Sequence, residues 1–183
     1  MCSLEITPDG REWLSLMRYL LIDRIQRLEC NKEVVAIKSV ALSEDVYADH
    51  FFGSPVMPGA LLIESLAQAG TALLEVSANY GKKALLVMVD KAKFRCLVRP
   101  GDQLMVTAAV RSLENGHARL DGKIHVSDRL VMGAELTFVL KNVEEFYSPR
   151  VKFLVEALYD VWLKDAQLLG LDQTRDGEKR FDA

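Results

Sequence analysis

The sequence predicts an α+β domain in which an antiparallel sheet of about six strands wraps round one long buried helix, with an added C-terminal helix. Three observations support this fold class: one long segment that is apolar on nearly every side, strand-like segments before and after it, and turn residues between those segments. The chain has 183 residues, half of them hydrophobic, which is enough for one domain with a well-formed core.

The long apolar segment reads ALLIESLAQAGTALLEVSANYG and follows Pro58-Gly59. Proline suits the first turn of a helix, because its missing N–H would be unpaired there in any case. Asn79 and Gly81 supply the expected stop. Since nearly every side of this helix is apolar, we expect it to be buried all round. A shorter helix is expected near the N-terminus, at 11–20.

The strands are predicted from alternating apolar residues and from the turns that bound them. Two strands are expected before the long helix, at 22–30 and 33–40, with a turn at 31–32. In the second of these, Val35 and Ile37 alternate with polar neighbours and mark the predicted buried face. Four more strands are expected at 84–96, 103–113, 117–126 and 129–140, with turns at 99–102, 114–116 and 127–128.

A further helix is expected after the sheet, with Ser148 as its N-cap and Pro149 in its first turn. Apolar residues at helical spacing extend it to Gly170, and we expect the polar tail beyond to fray. We therefore place the main domain at 1–143 and a C-terminal helical extension with a frayed tail at 144–183. The sequence leaves open whether this helix covers a hydrophobic surface, alters oligomer packing or binds a partner.

Composition excludes several classes of function. The net charge of −3 gives no global argument for a nucleic acid partner. The three cysteines, Cys2, Cys30 and Cys96, form no CxxC pair and no cluster with metal-ligand spacing. The chain shows no secretory signal and no uninterrupted apolar run long enough for a membrane span. We expect a cytoplasmic protein with free thiols, no metal and no cofactor.

Glu64 is a candidate proton donor. It lies between Ile63 and Ser65 in the apolar helix, where a carboxylate loses hydration and its pKa rises unless a partner compensates. The alternative is a structural glutamate at the helix mouth or in a dimer seam, paired with an arginine. Position alone favours neither interpretation.

His50 is a candidate base, because it lies in the loop before the helix and is flanked by Phe51 and Phe52. An aromatic-walled imidazole beside a helix N-terminus is well placed for proton transfer. The other histidines, His117 and His125, fall in predicted strands, where surface or cross-strand roles are the simpler interpretation.

The backbone at the helix start completes the constellation. The amides of Gly59, Ala60 and Leu61 are expected to lack helical acceptors and lie at the positive end of the helix dipole. They suit a carbonyl oxygen that gains negative charge, and Gly59 lets a substrate approach closely. The alternative is that Gly59 only permits a sharp turn after Pro58.

Three stretches, in family order, give a resemblance that covers roughly residues 10 to 141. HFFGSPVMPGALLIESLAQAG, from His50 to Gly70, resembles the signature of the 3-hydroxyacyl-ACP dehydratases. YLLIDRI at 19–25 and FRCLVRPGDQL at 94–104 are similar to the longer-chain, non-isomerising branch. Phe52 replaces the proline usual in the simple branch, and Asp49 replaces a common glycine, which leaves the chain-length preference open.

This resemblance implies a hotdog fold and dehydration of a (3R)-3-hydroxyacyl-ACP to a trans-2-enoyl-ACP, in fatty acid or related polyketide or polyene synthesis. By analogy, His50 takes the C2 proton, the Gly59 amide polarises the thioester carbonyl and Glu64 protonates the departing hydroxyl. Gln68 matches a family position near the acid and is a candidate substrate-binding or interface amide.

The resemblance also implies partners and leaves alternatives. In this family the histidine and the acid commonly meet across a dimer interface, and a hexamer built as a trimer of dimers is a further possibility. Acyl carrier proteins are acidic, so a local basic cluster is a candidate docking surface. A hotdog thioesterase and a non-catalytic acyl-ACP-binding subunit are the alternative functions. The residues of the basic cluster are Lys82, Lys83, Lys91, Lys93, Arg95 and Arg99.

Overall fold

A computed structural model describes residues 19–170 of the chain. The helix expected at 11–20 and the tail expected to fray after Gly170 therefore lie essentially outside the described residues. The described part contains two α-helices, α1 (Gly59–Ser77) and α2 (Pro149–Leu163), and two short 3-10 helices, Asp45–Ala48 and Val143–Glu145. The strands are β1 (Arg24–Glu29), β2 (Glu33–Ser39), β3 (Lys82–Phe94), β4 (Gln103–Glu114), β5 (His117–Val126), β6 (Arg129–Asn142) and β7 (Gln167–Leu169).

The strands form one sheet in the order β3-β6-β5-β4-β2-β1-β7. All neighbours pair antiparallel except β7, which pairs parallel with β1. The six strands predicted from the sequence are all present, and the turns between them carry the positive-φ residues that tight turns favour, such as Asn115 and Gly116. The α+β prediction is confirmed, with β7 as a seventh strand that the sequence did not indicate.

Helix α1 packs on this sheet and contributes most of its side chains to the core. The contact is close: a Cβ atom at Gly122 of β5 would lie 3.0 Å from the side chain of Leu66, which is fully buried. A glycine at this strand position therefore lets the helix approach the sheet. By length and apolar composition α1 could also cross a membrane, but 61% of the segment is buried inside the domain, as in the core helix of a folded protein.

The inward face of β2 differs from the predicted one. Val34 and Ala36 are fully buried and pair with Ala108 and Val106 of β4, whereas Val35 is only partly buried. The side chain of Lys38 has the same parity and is also buried. Ile37 is buried as predicted, so the prediction is wrong for Val35 alone. A lysine on the face of Val34 and Ala36 made that face look polar in the sequence.

The C-terminal helix is shorter than predicted. Ser148 is its N-cap, as expected, and its Oγ accepts a hydrogen bond from Val151 N. The helix ends at Leu163 rather than Gly170, since Gln167–Leu169 forms β7 against β1. Residues 167–169 thus form backbone hydrogen bonds with the free edge of β1 instead of helical hydrogen bonds. The local spacing of apolar residues does not predict this pairing.

A buried polar cluster joins α2 to the end of α1 and the start of β3. The carboxylate of Glu75 is buried and accepts hydrogen bonds from Tyr159 Oη (2.7 Å) and Ala84 N (3.1 Å). The ammonium of Lys83 lies 2.8 Å from Glu75 Oε1 and 5.5 Å from the centre of the Tyr147 ring. Each polar atom thus finds a partner that compensates for lost hydration.

The same cluster shifts two pKa values. Burial raises the pKa of Tyr159 well above its usual range, and the negative charge of Glu75 raises it further. Burial alone would lower the pKa of Lys83, but the charge and hydrogen bond of Glu75 raise it above its usual value. The cluster therefore favours a protonated lysine and a neutral phenol in the folded state.

We predict that Tyr159→Phe lowers the free energy of unfolding by about 1–3 kcal/mol near neutral pH, because Glu75 loses a donor in a buried site. The phenol has a higher pKa folded than unfolded, so its contribution is fully present below about pH 10 and is lost as the pH rises further. The difference between the two proteins should therefore shrink above pH 10. Urea unfolding followed by circular dichroism at several pH values measures it.

The matched control is Tyr19→Phe, because the side chain of Tyr19 is 70% exposed. It should leave the free energy of unfolding unchanged within about 0.5 kcal/mol. A stability difference for Tyr159→Phe that stays constant through the alkaline range would contradict the prediction.

Candidate active site

His50 lies in the loop between the 3-10 helix Asp45–Ala48 and helix α1. Its Nδ1 atom is 2.8 Å from the carbonyl oxygen of Val56. A carbonyl oxygen can only accept, so Nδ1 carries the hydrogen in the neutral imidazole and Nε2 keeps its lone pair. This hydrogen bond gives the ring both the tautomer and the orientation that a base needs.

One aromatic ring packs against this imidazole. Phe51 stacks on His50 with ring centres 4.1 Å apart and planes at 26°. Phe52, in contrast, is 97% exposed, so the expectation of an imidazole flanked by two aromatic side chains is wrong. The loop is closed by the amide of Val56, which donates to His50 O, and by Arg99 Nη1, which donates to Ser54 Oγ at 3.2 Å.

The N-terminus of α1 begins a few residues after His50, at Gly59. The prediction of three free amides is correct for two positions and wrong for the third: Leu61 N donates to Pro58 O at 3.0 Å, which closes a tight first turn. Within residues 19–170, no hydrogen bond occupies the amides of Gly59 and Ala60. Two donors at the positive end of the helix thus remain for a ligand.

The ring of Phe94 lies directly over Gly59. A Cβ atom at Gly59 would be 2.9 Å from Cε1 and Cζ of this ring, closer than a side chain allows. Glycine at this position therefore leaves room for Phe94 beside the helix mouth as well as for the backbone turn. Phe94 was not singled out from the sequence, although it begins the stretch FRCLVRPGDQL that resembles the dehydratases.

Glu64 is partly buried on α1 and is held by the side chain of Gln68, one helical turn later. Gln68 Nε2 donates to Glu64 Oε1 at 2.9 Å and to Tyr19 O at 2.6 Å. Gln68 Oε1 accepts from Leu21 N at 2.8 Å. Both polar ends of this amide thus bond within the chain, and Gln68 joins Glu64 to Tyr19, which lies 49 residues before Gln68. The contact was not predicted, although 19–25 is one of the stretches that resemble the dehydratases.

Residues 19–170 leave the face of α1 that carries Glu64 incompletely covered. Ala60 is exposed, and Glu64, Gln68 and Thr71 are partly exposed, at helical spacing along one side. The expectation that the helix is buried all round is therefore wrong for the part of the chain that the structure describes. The described residues also contain no hydrogen bond or ion pair between His50 and Glu64. Each residue is held separately, by its own neighbours.

The remaining histidines occupy strand β5. His117 is exposed, and its Nδ1 contacts Asn115 O at 3.1 Å. His125 is partly buried, and its Nδ1 atom has no hydrogen-bond partner in the part of the chain that the structure describes. Neither lies in a group of three or more His, Cys, Asp or Glu side chains able to hold a metal ion, and between residues 19 and 170 no such group occurs.

We predict that the neutral imidazole of His50 is the Nδ1–H tautomer, because its Nδ1 faces the carbonyl oxygen of Val56. Nitrogen-15 NMR at a pH where the ring is neutral should show a protonated Nδ1 and an unprotonated Nε2. His50→Gln assigns the signals by their loss, and His125 serves as the comparison. A His50 ring protonated on Nε2 would contradict the geometry.

Comparison with known proteins places the chain in a family. A model of the FabA-like domain matches residues 14–135. A protein of Caldanaerobacter subterraneus subsp. tengcongensis named 3-hydroxyacyl-[acyl-carrier-protein] dehydratase FabZ is 41% identical over 123 residues, which cover 67% of this chain and 87% of that protein. The protein of the same name from Lactobacillus helveticus is 38% identical over 139 residues, covering 73% of this chain and 94% of its own length.

Solved structures share the hotdog fold at lower identity. The dehydratase heterocomplex ApeI:P from Xenorhabdus doucetiae matches with a TM-score of 0.57 at 14% identity, covering 77% of this chain and 90% of that one. The F36A mutant of the fluoroacetyl-CoA-specific thioesterase FlK matches with a TM-score of 0.53 at 15% identity, covering 69% and 96%. At such identities the likeness concerns the fold alone.

The family model spans well over half of the chain, and the curated dehydratases align along most of their length. The chain therefore belongs to the FabA-like family.

Proposed function

We propose that the chain is a 3-hydroxyacyl-ACP dehydratase, a hydro-lyase of fatty acid biosynthesis that converts a (3R)-3-hydroxyacyl-ACP to a trans-2-enoyl-ACP and water. The relatives named as such dehydratases support the reaction. The observation that carries the proposal is the hydrogen bond from His50 Nδ1 to Val56 O, which leaves Nε2 as a base close in sequence to two free helix amides.

In this proposal Nε2 of His50 removes a proton from C2 of the substrate. The electron pair left on C2 is delocalised into the thioester carbonyl, whose oxygen gains negative charge. The amide of Gly59, at the positive end of α1, donates a hydrogen bond to that oxygen. Because the amide is fixed in the helix, it needs no rearrangement when the charge develops.

Glu64 supplies the second proton. As a carboxylic acid it protonates the 3-hydroxyl, which leaves as water while the C2–C3 double bond forms. We assign Gln68 to positioning this acid, rather than to direct substrate binding, because both ends of its amide are already bonded within the chain. Glu64 Oε2 receives no bond from Gln68 and is the oxygen that faces the substrate in this scheme.

We propose that the working unit is a homodimer in which His50 of one chain meets Glu64 of the other. Two features support a dimer. The described residues cover the Glu64 face of α1 only in part. In addition, β3 is an edge strand whose C-terminal half exposes Val87, Met88 and Phe94. An uncovered strand edge with exposed apolar side chains favours pairing with a second copy.

The acyl carrier protein is proposed to dock near Phe94 through a smaller basic patch than the sequence indicated. Lys82 donates to Asn142 Oδ1 at 2.6 Å. Lys83 is paired with Glu75 and Lys91 with Glu135, and Arg99 donates to Ser54 Oγ. Lys93 and Arg95 remain exposed, with no ion pair to any described residue. These two cations are close in sequence to the ring beside Gly59 and suit an acidic partner.

The extension at 144–183 is proposed to stabilise the domain at 1–143 rather than to act in the reaction. Its helix α2 buries Tyr159 and Trp162, and Tyr159 bonds the carboxylate of Glu75. A cytoplasmic location is also proposed; the thiols of Cys30 and Cys96, which form no disulfide with each other, are compatible with a reducing compartment.

We predict that His50→Ala and Glu64→Gln each lower the rate of hydration of a crotonyl thioester by about 10²–10⁴-fold, because each removes one proton-transfer group. Loss of enoyl absorbance measures the reaction. His117→Ala and Glu145→Gln, at exposed positions, are the matched controls and should keep the wild-type rate. Undiminished activity in both site variants would contradict the assignment.

The same assays separate the alternative functions. Release of free thiol, detected with a thiol reagent, would instead indicate a thioesterase, and turnover in neither assay would indicate a non-catalytic binding subunit.

We predict that two inactive variants restore each other. If His50 and Glu64 act across the dimer, a heterodimer of His50→Ala and Glu64→Gln chains contains one doubly defective site and one intact site. Co-refolding equal amounts should therefore recover about one quarter of the wild-type activity, since about half of the dimers are mixed. The unmixed variants are the controls. No recovery, with heterodimers demonstrated by mass spectrometry, would show that both residues of a site come from one chain.

A further inference from the structure

Lys38 is a buried cation on the inward face of β2. Its side chain is only 7% exposed, and it shares this face with the buried Val34 and Ala36. The ammonium lies 2.8 Å from Glu44 Oε1 and 2.9 Å from Ser39 O. A lysine is rarely buried without a partner, because its charge loses hydration, so the Glu44 carboxylate is what makes this position tolerable.

Glu44 organises the segment that leads to His50. Its carboxylate accepts a hydrogen bond from Ala41 N at 3.1 Å, and its own amide donates to Ala41 O at 3.2 Å. Its carbonyl oxygen accepts from Tyr47 N at 3.1 Å, at the start of the 3-10 helix Asp45–Ala48. The ion pair with Lys38 therefore joins this turn to the sheet.

The segment that Glu44 organises is also bonded to the backbone of His50. His50 N donates to Val46 O at 3.2 Å, so one backbone hydrogen bond joins His50 to the 3-10 helix. Tyr47 is also buried, but its hydroxyl has no hydrogen-bond partner among residues 19–170, and burial raises the pKa of this phenol to about 12. Tyr47 thus contributes packing, whereas the Lys38–Glu44 pair contributes the directional side-chain contact to β2.

Downstream of His50 the attachment is different. Val56 N donates to His50 O, and Met57 N donates to Val98 O, both at 2.9 Å. These bonds hold the far end of the loop at the mouth of α1. The His50 segment is therefore held by backbone bonds on both sides of the histidine, and before it the Lys38–Glu44 ion pair adds a side-chain contact to β2.

We propose that Lys38 and Glu44 are positioning residues for the reaction: their ion pair fixes the 3-10 helix and so holds the His50 imidazole at the working geometry beside Gly59. This inference rests on the proposed function of His50 as the base. Neither residue touches the reacting atoms in this scheme. The Lys38 side chain is buried and that of Glu44 is 24% exposed, so the pair has a desolvation cost and is better suited to fixing one geometry than to adding stability.

The test compares Lys38→Met, Glu44→Gln and the double variant Lys38→Met/Glu44→Leu. Removing one partner leaves the other polar group buried and lowers stability, whereas replacing both by apolar residues can preserve the fold. In the folded double variant we expect kcat for enoyl-thioester hydration to fall about tenfold or more, since small misplacements of a catalytic group are costly. KM should change less than about twofold, and the nitrogen-15 signals of His50 should shift.

The matched control is Lys32→Met, which removes the Lys32–Glu29 ion pair. That pair has the same N–O distance of 2.8 Å, but its lysine is 69% exposed. We expect wild-type kcat, KM and His50 signals for this variant, because an exposed pair holds little structure. The control therefore separates loss of any charge pair from loss of this one.

Two results would overturn the inference. One is a folded double variant with wild-type kcat and unshifted His50 signals; the other is activity lost only in proportion to the fraction unfolded in a thermal melt. The failure of the proposed function is distinguishable from both. If the wild-type protein turns over no enoyl thioester, the function fails, while the His50 signals of the double variant still decide whether the ion pair sets the position of the ring.

Discussion

The close packing of α1 on the sheet is the contact on which the rest of the structure depends. Leu66 is fully buried against the position where Gly122 lacks a side chain, and a Cβ atom at Gly70 would lie 3.1 Å from Leu120 and Phe138. Burial of each large apolar side chain contributes about 1.5–3 kcal/mol, so a helix with many such residues dominates the stability of the domain. Because the helix direction is thereby fixed, so is the position of its N-terminus, where Gly59 and Ala60 present their amides.

Among the described residues, the buried charged side chains Lys38 and Glu75 are both paired. Glu75 at the end of α1 is bonded by Tyr159 and Lys83, and Lys38 on β2 is paired with Glu44. Both carboxylates join a peripheral segment to the core: the first holds α2, and the second holds the turn before His50. A buried charge that requires one partner can specify which segment packs where, at a cost that the apolar core offsets.

The two candidate catalytic groups are held by different means. His50 is fixed by loop contacts, namely its ring bond to Val56 O and the backbone bonds on either side of it. Glu64 lies in helix α1 and is oriented by Gln68. The side-chain amide of Gln68 is bonded to the backbone of Tyr19 and Leu21. His50 thus lies in a loop, whose conformation depends on its contacts with other segments more than that of a helix does. For this reason the Lys38–Glu44 ion pair, which lies before His50, matters for the proposed reaction.

Local features were determined by the sequence itself. Turn residues, the apolar helix and the order His50, Gly59, Glu64 are visible in the linear chain, since each depends on neighbours a few residues away.

Only the tertiary structure decided the features that need distant partners. Lys38 reads as a surface residue until Glu44 and the inward face of β2 are seen, and the segment after Leu163 reads as helix until the free edge of β1 is available to it. Gln68 likewise finds its partners about fifty residues away. Periodicity specifies which residues prefer burial, but the choice among faces, edges and hydrogen-bond partners is made by contacts between segments that the sequence does not place side by side.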